Sequence, residues 1–290
     1  MSHRIQLLVI DPQNDFCDLP EAYRPIDPIK RQAVAPSLPV SGAHADMQRL
    51  AGFVRRAGSR LDAISITLDS HHRIDIAHPG FWATGAGQPV SPFTTITAGQ
   101  VRAGAFRPRD HAALPRALAY LDELEARGRY TLMVWPVHCE IGTWGHNVHA
   151  DLKAALSTWE EENLTAVKAV TKGENPWTEH YSALQAEVPD DDDPHTQLDR
   201  ALVNELDRAD LLLVGGEASS HCVKATTEHL VANLPSGNAG KVVLLADAMS
   251  PVAGFEAQHR AFLADMQAKG VRLASCEEAL SMLPAVRALA

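Results

Sequence analysis

The sequence predicts an α/β fold, a three-layer sandwich built on a mostly parallel six-stranded sheet. Three observations carry that reading. Short apolar runs rich in β-branched residues alternate with stretches of helical periodicity, the pattern of successive βαβ units. The chain has 290 residues, 46% of them apolar, enough to bury a core without a disulfide or metal staple. Several apolar runs also end in ionisable or nucleophilic residues, as parallel strands do when their carboxyl ends face a ligand crevice.

Taken in order, the strand candidates are residues 5–10, 63–68, 130–134, 164–170, 210–214 and 242–246, with 271–274 as a further one. Between them, 44–56, 114–126, 147–160, 197–207, 222–233 and 255–269 read as helices. Their crossovers are expected to be right-handed. Three stretches break the alternation and read as surface loops or insertions. Residues 17–41 are spaced out by Pro20, Pro25, Pro28, Pro36 and Pro39; 79–108 carry Gly, Thr and Pro without period; 185–196 contain the acidic run Asp190–Asp193. No repeat or linker interrupts the chain, so residues 1–290 are expected to form one domain.

Charge and cysteine content narrow the function classes. With 26 Lys+Arg against 36 Asp+Glu, the net charge of −10 argues against nucleic acid and against an anionic membrane as partners. The 4 cysteines form no CxxC pair, and no stretch approaches the roughly 18 apolar residues of a membrane span. The first apolar run stops at Asp11, too early for a secretion signal. A cytoplasmic location in a reducing compartment is the expectation.

The reactive residues cluster at strand ends. Asp11 follows the first strand; Asp69-Ser-His71-His72 the second; Trp135-Pro-Val-His138-Cys139 the third; Thr171-Lys172-Gly173 the fourth; and Gly215-Gly-Glu-Ala-Ser-Ser-His-Cys222 the fifth. In an open α/β sheet these would converge on one edge. Residues 215–220 suit a tight turn in which Ser219 or Ser220 caps the next helix. Cys222 then falls in the first helical turn, where the positive helix end favours a thiolate and backbone N–H groups can bind an oxyanion. The competing reading is a buried, inert thiol.

Asp11 reads as a turn residue or, beside a thiol, as a general base. Lys172 reads as a solvated loop lysine or as the cation that two neighbouring anions require. Asp69, His71, His72, His78 and His138 could converge on Zn²⁺ or Fe²⁺, or form a hydrogen-bonded, His-rich loop. Spacing alone does not rank His72 against His78. Cys139 reads as packing. His180 and the remaining histidines fall in helices or loops without assembled partners.

Leu7-Leu-Val-Ile-Asp11-Pro-Gln-Asn-Asp-Phe16, Trp135-Pro-Val-His138-Cys139, Thr171-Lys172-Gly-Glu-Asn-Pro, His180-Tyr-Ser-Ala and Gly216-Glu-Ala-Ser-Ser-His-Cys222 also occur as motifs in this order elsewhere. Together they resemble the nicotinamidase branch of the isochorismatase-like cysteine hydrolases, and the resemblance spans nearly the whole chain. It implies the isochorismatase-like hydrolase fold and a Cys222–Asp11–Lys172 triad. It also implies an oxyanion hole from the N–H groups of Ala218 and Cys222, with a cis peptide before Ala218.

By the same resemblance, Asp69, His71, His78 and His138 would hold a divalent metal, Zn²⁺ ahead of Fe²⁺ or Mn²⁺. Phe16, Trp135 and Tyr181 would wall the substrate. The implied activity is hydrolysis of a small, nicotinamide-like carboxamide to the acid and ammonia by a homo-oligomeric enzyme. The alternative is a metal-independent amidase acting on a linear or N-carbamoyl amide. Two departures bear on substrate choice: Asp-Ser-His-His stands where relatives have Asp-Trp-His, and Ala-Ser-Ser-His-Cys where many have Ala-Thr-Asp-x-Cys.

Overall fold

The computed structural model describes residues 3–285. In chain order its strands are β1 (Ile5–Ile10), β2 (Ala63–Asp69), β3 (Trp82–Thr84), β4 (Thr94–Ile96), β5 (Phe106–Pro108), β6 (Leu132–Val134), β7 (Lys168–Lys172), β8 (Leu211–Gly216), β9 (Val242–Leu245) and β10 (Arg272–Ala274). The α-helices are α1 (Ala43–Ala57), α2 (Ala98–Arg102), α3 (Leu114–Arg127), α4 (Ala150–Asn163), α5 (Arg200–Asp207), α6 (Cys222–Asn233), α7 (Glu256–Ala268) and α8 (Cys276–Met282). Among the described residues, no helix is long and apolar enough to cross a membrane.

Six strands form one sheet in the order β10–β9–β8–β1–β2–β7, every neighbouring pair parallel. β1 and β8 are buried along their whole length, which is why both read as unbroken apolar runs rather than as alternation. Strand order steps one way from β1 through β2 to β7 and the other way from β8 through β9 to β10. Right-handed crossovers therefore send α1 and α4 to one face and α5, α6 and α7 to the other. Consistent with this, α1 packs on α4 and α8, and α6 on α7.

Three expectations are corrected here. The run at 130–134 is not in the main sheet; β6 pairs antiparallel with β4 outside it, and β10 takes the sixth place. Its alternating burial, with Leu132 and Val134 inside and Met133 partly exposed, marks a strand covered on one face only. The run at 164–170 shifts to 168–172, because α4 continues to Asn163 and closes on a left-handed Leu164 (φ 50°). Residues 79–108 are not one surface loop. They contain β3, β4, β5 and α2, with Trp82, Ile96 and Ala98 buried and a Thr97–Gln100 capping box opening α2. Strands of three residues are too short to show a period.

The reversal of strand order falls between β1 and β8, where an open α/β sheet places its ligand crevice. The two strands end very close together. Gly216 has φ 121°, and a Cβ there would lie 2.0 Å from the Ile10 carbonyl oxygen, so no larger residue fits. Asp11 and the turn leading to Cys222 emerge side by side from this point.

Candidate active site

Lys172 is the last residue of β7 and lies in register with Asp69, the last residue of β2. Its Nζ donates to Asp69 Oδ1 (2.8 Å) and to the His180 carbonyl (2.9 Å). It also lies 3.0 Å from Asp11 Oδ2 and 3.6 Å from Cys222 Sγ. The three triad candidates therefore meet, all buried. Asp11 holds a left-handed backbone (φ 44°), a conformation that costs free energy and that non-glycine residues adopt mostly where the surroundings impose it. The Thr67 hydroxyl imposes it from both ends, accepting the Asp11 N–H at 3.0 Å and donating to Asp11 Oδ1 at 2.5 Å.

The charges follow from this geometry. Burial alone would push the Lys172 ammonium down, but Asp11 and Asp69 outweigh it and hold its pKa well above the ordinary lysine value. Burial would likewise raise Asp69, yet His71 and Lys172 hold that carboxyl well below the usual range. Burial raises Asp11 against the pull of Lys172. Burial also pushes the Cys222 thiol well up; Lys172 opposes this, while Asp11 and Asp69 add to it. Burial thus works against the expected helix-start thiolate, and Lys172 works for it.

α6 begins at Cys222 with His221 as its N-cap residue, and neither expected serine caps it. Ser219 Oγ is engaged by His259 Nδ1 (2.8 Å), and Ser220 Oγ by His221 Nδ1 (2.9 Å) and the Val252 N–H (3.1 Å). Among the described residues, the N–H groups of Ala218 and Cys222 have no acceptor. The Glu217–Ala218 peptide is cis. Two amide donors next to the sulfur are thereby left available for an oxyanion.

The histidine candidates converge as well. His71, His78 and His138 are buried and bring one nitrogen each to within 4.8 Å of the others. Each ring is oriented through Nδ1: His71 by Asp75 Oδ2 (3.2 Å), His78 by the His72 carbonyl (3.2 Å) and His138 by the Pro136 carbonyl (2.8 Å). Those acceptors suit a hydrogen on Nδ1 and turn each Nε2 inward, where it can bind a proton or a metal ion. His71 Nε2 and His138 Nε2 face Asp69 Oδ2 at 3.1 and 3.3 Å. A buried carboxylate oxygen against two ring nitrogens, with the third imidazole within reach of both rings, calls for a positive charge, and three imidazoles bordered by a carboxylate suit zinc or iron. Burial, with His138 and His71 beside it, pushes His78 down to about 3, keeping it neutral as a ligand must be. His72 contributes only its carbonyl; its side chain is exposed.

Phe16, Trp135 and Tyr181 are all buried, with the Phe16 ring edge-on to His138 at 5.4 Å and Trp135 Nε1 donating to the Tyr181 hydroxyl at 3.0 Å. His221 joins this aromatic group, 5.1 Å from Trp135 and 5.2 Å from Tyr181. Sequence reasoning missed several supports. Gln13 clamps Asp69 by accepting its N–H and donating to its carbonyl, both at 2.7 Å. Asp15 Oδ2 accepts the Cys139 N–H at 2.7 Å, and Asp75 and Thr67 act as described above. His180, expected to lack partners, holds Lys172 through its carbonyl and accepts the Gly173 N–H on Nδ1 at 3.2 Å. The available signal was a polar residue inside or next to each motif, which spacing cannot rank.

No protein-family model matches the sequence, and no curated protein matches it at a significant level. Solved structures share its fold. A nicotinamidase/pyrazinamidase of Acinetobacter baumanii superposes with a TM-score of 0.61 at 20% identity, covering 96% of this chain and 99% of that one. An isochorismatase-like hydrolase from Alkaliphilus metalliredigens gives 0.52 at 15% identity, covering 96% and 98%. The architecture of this chain is thus the isochorismatase-like hydrolase fold. The pyrazinamidase of Pyrococcus horikoshii, solved in complex with zinc, is similar at a TM-score of 0.53 and 18% identity, covering 94% and 99%.

Proposed function

We propose that this chain is a cysteine amidohydrolase that cleaves a small carboxamide of the nicotinamide type to the acid and ammonia through a thioester on Cys222. The observation that carries the reading is the position of Lys172 Nζ, 3.0 Å from the Asp11 carboxyl and 3.6 Å from the Cys222 sulfur in a buried site. Asp11, made more basic by burial, accepts the thiol proton. The ammonium of Lys172 balances the carboxylate and thiolate while the proton moves. Sulfur attacks the amide carbon, and the free N–H groups of Ala218 and Cys222 receive the oxyanion. Asp11 returns its proton to the leaving nitrogen, ammonia departs, and Asp11 then deprotonates the water that hydrolyses the thioester.

Phe16, Trp135 and Tyr181 supply aromatic walls for a flat ring. Asp69, His71, His78 and His138 would hold a divalent ion, with zinc first. Such an ion supplies a Lewis-acid anchor for a donor atom of the substrate. Zinc in the pyrazinamidase of the same fold supports that assignment.

The test is ammonia release from nicotinamide, pyrazinamide, aliphatic amides and N-carbamoyl amides, with and without a chelator. Wild type is expected to release ammonia from the ring amides and to yield a trapped acyl adduct on Cys222. Cys222→Ala should keep the fold and lose turnover by on the order of 10⁴-fold or more. Wild-type rates in Cys222→Ala would overturn the covalent mechanism. Release from linear amides alone, unaffected by chelation, would move the enzyme to the metal-independent class.

A further inference from the structure

One buried carboxyl next to the oxyanion turn has no part in the chemistry proposed above. Glu217 directly precedes Ala218 and is fully buried. Its Oε2 accepts the Ser250 N–H at 3.1 Å, whereas no N–H or hydroxyl donor reaches its Oε1 among the described residues. Ser250 also holds Asp46 of α1, its hydroxyl donating to Asp46 Oδ2 at 2.6 Å, so two buried carboxyls share one serine. Two buried carboxyls so placed repel each other as anions, which favours one proton on the pair. Asp46 already accepts from Arg49 Nη1 (2.7 Å) and from Ser250 Oγ (2.6 Å), as the ionised partner would. Burial raises both carboxyls, Glu217 the more, and Asp46 alone accepts from a guanidinium, so Glu217 is the acid.

Ser250 ties this pair to the turn. Besides donating to both carboxyls, it accepts the Ser219 N–H on its carbonyl at 2.9 Å. The turn that carries the Ala218 N–H is thus fastened on both sides, by Glu217 and by Ser219. We propose that Glu217 is a positioning residue, its carboxyl bound to Ser250, which also holds Asp46 and Ser219, so that the Ala218 N–H is held toward the oxyanion.

The other groups facing the pair are Arg49 on α1, Asp18 and Cys17 after β1, and Cys276 on α8. Burial raises both thiols, so they stay neutral, and Asp18 adds to the repulsion that keeps Glu217 protonated. Burial and Asp46 together push Glu217 well up. A carboxyl raised in the folded state contributes fully below its unfolded pKa and loses its contribution as pH rises through the folded value. The support should therefore fail on the alkaline side.

The positioning role rests on the amidohydrolase reading, so the test pairs a readout of turnover with one that needs none. Infrared difference spectra should show a protonated-carboxyl band in wild type that Glu217→Gln removes and that fades as pH rises. Glu217→Gln, which can still accept the Ser250 N–H and carries no charge at any pH, should keep kcat on nicotinamide within roughly threefold at neutral pH and flatten the alkaline limb of the profile. Glu217→Ala should lower kcat by roughly 10–100-fold with KM little changed.

Absence of a band assignable to Glu217 would overturn the shared proton. A Glu217→Gln profile superimposable on wild type, or an equal loss in both variants, would overturn the positioning role. A wild-type chain that turns over no carboxamide removes the reading of function and the positioning role with it, while the band still decides where the proton lies.

Discussion

Asp69 divides the site into two halves that solve their electrostatics differently. On the Oδ1 side, Lys172 sits between Asp69 and Asp11 with the His180 carbonyl behind it, so opposite charges are matched within the protein itself. On the Oδ2 side, His71 Nε2 and His138 Nε2 face a carboxylate oxygen, a contact that needs a positive charge between nitrogen and oxygen. The first half is complete as polypeptide. The second is built to receive positive charge from outside, either a metal ion or a proton. Burial and its two aspartates pull His71 in opposite directions, and Asp69 and Asp75 win, so its pKa stands well above the ordinary value.

The largest expected effect breaks the self-contained half. Lys172→Met leaves Asp11 and Asp69 buried together without a cation and should cost about 3–5 kcal/mol of stability, read from the denaturant midpoint. An unchanged midpoint would mean that the two halves do not differ as described. A smaller effect probes the other half. Asp75→Asn weakens the acceptor that orients His71 and should lower zinc affinity by roughly 10–100-fold in competition with a chromophoric chelator, with the fold intact. Equal zinc binding by both proteins would show that Asp75 does not set the ring.

The smallest effect sharpens the role of Asp11. Thr67→Val removes a hydrogen bond that lowers the Asp11 pKa, so the acid limb of kcat/KM should move to higher pH and stability should fall by about 1–2 kcal/mol. A shift toward lower pH would contradict Asp11 as the base.

Much of this was legible in the sequence, for physical reasons that differ by element. β1 and β8 announced themselves because a strand covered on both faces must be apolar throughout. β7, with most of its side chains exposed at the sheet edge, offered no such signal, and its start was placed four residues early and its end two. The residues with reactive side chains were found because each follows a strand. The double engagement of Asp69 was not, because it depends on the register of β2 against β7 rather than on spacing along the chain. Ser219 and Ser220 looked like helix caps by type, yet both hydroxyls are engaged elsewhere, which is what leaves the first-turn amides free. Trp82 and its neighbours were lost inside a Gly- and Pro-rich stretch whose strands are only three residues long.

The pairing of β1 with β8 also bears on how the protein comes into being. The backbone contact that opens it, from the Asp210 N–H to the Arg4 carbonyl at 2.8 Å, joins residues 206 apart in the chain. During synthesis β1 can pair early with β2, but its other edge waits until residues 211–216 have been made. Closing so distant a contact is slow and leaves a bare strand edge meanwhile. A nascent chain that stops short of β8 carries Asp11 and every histidine of the cluster yet lacks Cys222, so the candidate site is completed only as the centre of the sheet closes.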